Sequence, residues 1–222
     1  MFLGYYKMRG INSITGFFVK MKHRFRGNVI QKNVTISKDA VLHGGIYIGE
    51  SSNILSDTEL GKNARIGNCT YLTRVKVGDN STIEGFSLIQ GKSDIKVIIG
   101  NNSYISSHST IEASAEVIIG NHVSVGPNLR IVTHTGHLQA LTDEKIGSPK
   151  HLVKKPVIIE DNVYIGVGTT ILMGVTIGKY SVVNAGSVVT KSVPPYSFIQ
   201  GIPAKATGKV TFQNGEPVII KK

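Results

Sequence analysis

The sequence predicts an all-β solenoid, a triangular prism of short parallel strands, and three observations carry that reading. First, an aliphatic residue recurs every six positions, from Ile30, Ile36, Leu42 and Ile48 through Ile54, Leu60, Ile66 and Leu72. The series resumes at Val77, Ile83, Ile89, at Ile99, Ile105, Ile111, and at Ile119, Val125, Ile131. It is most regular at the end, over Ile159, Ile165, Ile171, Ile177, Val183 and Val189. Second, glycine often follows the aliphatic residue, as at Gly49, Gly61, Gly67, Gly120, Gly166 and Gly178. Third, a small or aliphatic residue sits four positions on, as at Ser52, Thr58, Ala64, Thr70, Ser181 and Ser187.

Period six fits neither a helix at 3.6 nor a plainly alternating strand. It fits a strand of a few residues followed by a turn, with the aliphatic side chain inward and a small residue easing the bend. Three hexads close one coil, and coils stack as parallel sheets at about 4.8 Å each. The hexads amount to about seven to eight coils, a prism roughly 35 Å long on that spacing. A sandwich rich in Ile and Val does not hold this phase over so many turns. These residues resemble the hexapeptide-repeat family, whose fold is the left-handed parallel β-helix.

The elements follow in order. Residues 1–27 carry Lys7, Arg9, Lys20, Lys22, Arg24 and Arg26 with no acidic residue, interleaved with Phe2, Tyr5, Tyr6, Phe17, Phe18 and Phe25. Two readings stay open for this segment: a basic amphipathic helix in peripheral contact with an anionic membrane, and a cap over the open end of the solenoid. The β-helix itself is expected over residues 28–193. Residues 90–98 and 112–118 break the phase and read as bulged corners. A larger interruption, residues 134–157, reads as a functional loop, since long insertions in compact folds usually are. Val193-Pro194-Pro195 is expected to end the coil. Within the tail, residues 194–222, Val210–Gln213 and Val218–Ile220 flank Asn214-Gly215 as a hairpin, with Pro217 confining the second strand to an edge.

Composition sets outer bounds. The chain has 222 residues, 41% of them hydrophobic and 18% charged, which suits one domain with a core. A single cysteine, Cys69, excludes an intramolecular disulfide framework and a Cys-based zinc site. No apolar run is long enough for a membrane-spanning helix, and the first residues lack the pattern of a secretory signal, so a cytoplasmic protein is expected. The net charge of +11 is compatible with nucleic acid, anionic lipid or a phosphorylated small molecule, and does not choose among them.

Chemistry concentrates at the long loop. His134 and His137 open it, where an imidazole stands beside a wall yet within reach of substrate, as a general base must. A metal pair formed by these two finds no third ligand, so no metal is expected.

A second resemblance covers residues 117–206. It rests on Val163-Tyr164-Ile165-Gly166, Ile171-Leu172-Met173-Gly174, Asn184-Ala185-Gly186-Ser187, Val189-Thr190-Lys191, Val193-Pro194-Pro195 and Gly201-Ile202-Pro203-Ala204-Lys205. This block is similar to the hexapeptide-repeat O-acetyltransferases, the group that includes maltose, galactoside, capsule and O-antigen acetyltransferases. The resemblance implies transfer of acetyl from acetyl-CoA to a sugar hydroxyl, as in a surface polysaccharide or its precursor. It also implies a homotrimer with sites between subunits, and no nucleic-acid partner. A loop histidine would take the acceptor proton. Asn128 through Gly136 resembles the form in which Thr-His follows the coil directly, which favours His134, while other members place the base later, at the position of His137. Tyr164 stands where the family carries tryptophan, flanking acyl group and acceptor. Asn128 falls on the acceptor side, Gly166, Ala185 and Gly186 along the pantetheine arm, and Thr190, Lys191 and Lys205 near the coenzyme's phosphates. Transfer to the amine of an amino-sugar nucleotide is the alternative of the same class. A purely structural solenoid is the alternative of another class, and it does not call for the loop histidine or the coenzyme block.

Overall fold

The computed structural model describes residues 27–136 and 152–221. Nearly all of the basic aromatic segment (residues 1–26) and His137 lie outside the described residues. The described chain is a left-handed parallel β-helix of about eight coils. Each coil contributes one short strand to each of three parallel faces. The first face begins with Val29–Ile30 and Tyr47–Ile48, the second with Thr35–Ile36 and Asn53–Ile54, the third with Val41–Leu42 and Glu59–Leu60.

The six-residue period explains why. In a two-residue strand one side chain points in and its neighbour out. The inward residues therefore stack in file: Ile48, Ile66, Ile83, Ile105 and Val125 on the first face, Ile54, Leu72, Ile89, Ile111 and Ile131 on the second. All are 0 or 1% exposed. Each such burial stabilises by about 1.5–3 kcal/mol. The small residues of the hexads line the inner corners, where a hydroxyl binds a carbonyl of a neighbouring coil, as Ser52 does to Gly67 at 2.8 Å and Ser103 to Gly120 at 2.8 Å.

The three edges differ in how they turn. On the edge between the first and second faces, one residue per coil takes a left-handed conformation: Ser51, Cys69, Phe86, His108, Asn128, Gly168 and Gly186. Each of these passes its N–H to a carbonyl of the coil below, as in Gly186 to Val167 at 2.8 Å. The edge between the third and first faces turns the same way and adds a side-chain ladder. There the N–H of Lys62, Asp79, Asn101 and Asn121 reaches the Oδ1 of Asp79, Asn101, Asn121 and Asp161 in turn, at 2.7–2.8 Å.

The edge between the second and third faces absorbs the irregularities. Arg74 alone turns the chain from Tyr71–Thr73 to Val75–Val77. The stretch 90–98 keeps an enlarged corner, five residues (92–96) with Ser93 left-handed, whereas 112–118 differs from a bulged corner. In both, extra residues lengthen the strands, so that Leu88–Gly91 and Thr110–Ala113 pair over four positions before turning. The long insertion leaves from this same edge.

The proline pair does not end the coil. Val193 still bridges Ile177 in parallel, Tyr196 takes the left-handed corner, and Ser197–Gly201 adds another first-face strand opposite Val182–Val183. Pro194 and Pro195 occupy a corner, where no ladder N–H is demanded of them. The chain then reverses: Ala204–Gln213 and Glu216–Lys221 extend the first face as an antiparallel hairpin around Asn214-Gly215, with Pro217 on the outermost strand.

Candidate active site

The insertion is anchored by Thr133. Its side chain is fully buried. The hydroxyl accepts the N–H groups of Ser114 at 2.8 Å and Ala115 at 2.9 Å, and donates to the Glu112 carbonyl at 3.3 Å. The Thr133 carbonyl accepts the N–H of Lys155 at 3.0 Å. One residue thus ties together the outgoing chain, the returning chain and the coil beneath. The reading of residues 134–157 as loop is correspondingly narrowed. His134–Thr135 and Val153–Lys154 form a short antiparallel ladder, with His134 opposite Lys154, and Val157 already lies on the third face.

His134 is held at the base of the insertion by this ladder, half-buried. Its Nδ1 is buried without a hydrogen-bond partner among the described residues. A buried ring nitrogen normally has one, so this atom is available to a group supplied from outside the described chain.

The remaining sequence-derived residues fall into two groups. Thr190 and Lys191 lie exposed after Val188–Val189, on the same edge as His134 and two coils further along. Asn128, Gly166, Ala185 and Gly186 lie on the first–second edge, and Tyr164 and Lys205 project from the first face. Within one chain, therefore, the second face separates His134 from Tyr164, Asn128 and the Ala185-Gly186 ledge.

That ledge is shaped by glycine for two reasons. At Gly166 a Cβ would stand 2.5 Å from the backbone nitrogen of Ala185, so only glycine lets the next corner pass. At Gly168 and Gly186 the conformation is left-handed (φ 70° and 67°), and a Cβ would meet nothing within 4 Å. The corner there is a bare, open backbone shelf flanked by exposed Tyr164 and Val167. Lys191 and Lys205 are exposed, Lys191 on the His134 edge and Lys205 on the first face. A separate groove of about 600 Å³, lined by Ile118, Ile158, Glu160, Asp161, Lys179 and Pro195, opens toward the third–first edge, away from these residues. Among the described residues no cluster of His, Cys, Asp and Glu is placed to hold a metal, and no helix is long and apolar enough to cross a membrane.

Thr133 is the residue that the repeat and the motifs leave without a role. Its anchoring role joins residues about twenty apart in the chain, and the hexad period carries no signal for such a contact.

Comparison with known proteins agrees with the architecture. Residues 156–191 match the family model described as the hexapeptide repeat of succinyl-transferase. The galactoside O-acetyltransferase of Lactococcus lactis is 33% identical over 151 residues, 64% of this chain and 70% of that protein. A Schizosaccharomyces pombe relative, named provisionally as an acetyltransferase, is 40% identical over 114 residues, 51% of this chain and 53% of that protein. The chain thus spans about half the length of the fungal relative. Among solved structures, LpxA from Acinetobacter baumannii matches with a TM-score of 0.63 at 19% identity, covering 82% of this chain and 74% of that one, which speaks to the fold. Coil architecture, repeat and relatives together place this chain in the hexapeptide-repeat acetyltransferase family.

Proposed function

We propose that the protein transfers acetyl from acetyl-CoA to a hydroxyl of a sugar, such as a unit of a surface polysaccharide or its precursor, with His134 as general base. The observation that carries this reading is His134 itself, held next to Thr133 and opposite Lys154, with a buried Nδ1 that has no hydrogen-bond partner among the described residues. A neutral imidazole has one donor and one acceptor nitrogen. A group that satisfies Nδ1 as acceptor leaves Nε2 free to take the acceptor's proton near neutral pH.

Bound acetyl-CoA supplies an activated acyl thioester. Gly166, Ala185 and Gly186 would receive its arm along the open shelf, and Thr190, Lys191 and Lys205 its phosphates. Tyr164 and Asn128 would border the acceptor. Because His134 and the shelf stand on different edges of one prism, the reading includes a homotrimer in which the base of one subunit faces the shelf of the next. His137 remains the second candidate for the base. The galactoside O-acetyltransferase relative supports a sugar hydroxyl as acceptor.

The test is thiol release from acetyl-CoA across a panel of sugars, amino-sugar nucleotides and buffer alone. Release with neutral sugars, and an ester in the product, is expected. Turnover only with amino-sugar nucleotides moves the assignment to N-transfer, and no turnover with any acceptor removes it.

A further inference from the structure

A strip of aromatic side chains runs from the shelf toward the opposite end of the prism. It has two columns. Along the first face the outward residues Thr82, Tyr104, Ser124 and Tyr164 stand in register, one coil apart. Beside them, on the first–second edge, the left-handed corner residues of the same coils are Phe86, His108, Asn128 and Gly168. Phe86 is 60% exposed, Tyr164 49% and Tyr104 42%. The Phe86 and His108 rings are stacked, with centroids 5.2 Å apart and planes within 13°.

The corner position makes this arrangement informative. A left-handed backbone favours glycine or asparagine and disfavours bulky residues. Elsewhere on this edge the position holds Asn33, Ser51, Cys69, Asn128, Gly168 and Gly186. Phenylalanine there is locally unfavourable, and the core does not need either ring, since both lie outside the prism; the aromatic residues at left-handed corners of the third–first edge, Tyr180 and Tyr196, instead pack on each other, and Tyr180 also meets Phe212 of the hairpin. Residues kept in disfavoured backbone regions tend to mark functional surfaces.

We infer that this strip is a binding track for an extended, uncharged saccharide chain, continuous with the acceptor end of the candidate site. Three features select that ligand. The ring faces of Tyr104, Tyr164 and Phe86 offer negative π surface to the C–H face of a pyranose. Ser124, Asn128 and the tyrosine hydroxyls supply hydrogen bonds between them, the mix of apolar walls and few polar groups that fixes a ligand's orientation. The two columns hold no Lys, Arg, Asp or Glu, in a chain whose net charge is +11, so the track is not built for a polyanion. Its rows repeat at the strand spacing of about 4.8 Å, comparable with one pyranose unit. This inference rests on the sugar-acceptor reading above and narrows it: the preferred acceptor is an oligosaccharide or polymer.

The experiment compares galactose with a linear galactohexaose as acceptors. The chain is tested as wild type, Tyr104→Ala and Phe86→Asn; asparagine suits the left-handed corner, so the last variant keeps the fold. Wild type is expected to show a KM at least about tenfold lower for the hexaose. Each variant should raise the hexaose KM by about 3–10-fold, in line with the loss of one aromatic contact, leave galactose kcat/KM within about twofold, and keep the wild-type mass in light scattering. Equal effects on both sugars, or none on the hexaose, overturn the track. A fall in mass for Phe86→Asn also overturns it, because the strip is then a subunit contact. If neither sugar is acetylated, the proposed reaction fails but the track is still decided by binding of the same hexaose in titration calorimetry. Binding weakened in Phe86→Asn supports the track, and no binding by wild type rejects it.

Discussion

The Thr133 hydroxyl accepts the backbone N–H of Ser114 at 2.8 Å, and that bond, together with the one from Ala115, seats the foot of the insertion on the coil below. Replacing Thr133 with valine keeps the shape but strands two N–H groups. Leaving buried donors unsatisfied costs about 1–3 kcal/mol. Thr133→Val should therefore lower the thermal midpoint by several degrees, and turnover should fall as the ladder that holds His134 loosens. An unchanged midpoint in calorimetry would show that the foot is held by other contacts.

His134→Ala should reduce kcat by about 10²–10⁴, the usual cost of a lost general base, with the Kd for acetyl-CoA nearly unchanged. His137→Ala should cost less. Steady-state kinetics on both variants decide the matter: a dead His137 variant beside an active His134 variant reverses the assignment, and two active variants reject a histidine base.

Lys191→Glu and Lys205→Glu each place a negative charge where coenzyme phosphates are expected. Both lysines are exposed and outside the core, so the midpoint of unfolding should hold while affinity for acetyl-CoA drops. Titration calorimetry with unchanged affinity for both would take them out of the donor site.

The separation of His134 from the Ala185-Gly186 shelf by the second face yields an assembly prediction. Light scattering should give three times the 23.9 kDa chain mass. Co-expressing inactive His134→Ala with inactive Ala185→Arg should restore part of the activity, because a mixed trimer regains an intact site. Absence of any recovery, with mixing verified by mass spectrometry, would mean that each chain carries a complete site.

Glu59 sets one part of the acid response. Burial pushes its carboxyl up, but hydrogen bonds from His43 at 3.2 Å and Lys76 at 3.3 Å outweigh it and hold the group below its ordinary value of 4.5. A carboxylate whose folded pKa is depressed stabilises the fold above its unfolded pKa, and that contribution fades as pH falls through the folded value. Wild type should lose stability relative to Glu59→Gln on going from pH 6 to below 4. Parallel melting curves of the two over that range would refute the linkage.

Much of the fold was legible because the hexad reports directly whether a side chain faces in or out. The files of Ile48, Ile66, Ile83 and Ile54, Leu72, Ile89 sit where the period puts them. What the period does not carry is which edge a residue turns on. The breaks at 90–98 and 112–118 and the insertion after Thr133 look like separate accidents in the sequence, yet they share one edge. Pro194-Pro195 predicts a stop because proline breaks ladders, whereas a corner asks for no ladder bond there. At the candidate site, the motif residues are contiguous in sequence, but Thr190 and Lys191 project from a different edge than Ala185 and Gly186. That partition follows from the two-residue strand Val188–Val189 that carries the chain across the second face between them, which a linear motif does not display.

The two regular edges are locked coil to coil, one of them by the Asx ladder that runs from Lys62 to Asp161 and spans the insertion without a gap. Asn121 and Asp161 are forty positions apart in the chain and adjacent in space. The prism therefore behaves as a scaffold whose second–third edge alone among its three lacks such a regular lock, and the long insertion leaves from it. Foreign sequence placed between the His134 and Lys154 strands adds only loop-closure entropy, which grows slowly with length. The same addition at either regular edge has to break a ladder. Added length therefore costs least on the second–third edge, and His134 stands at that edge.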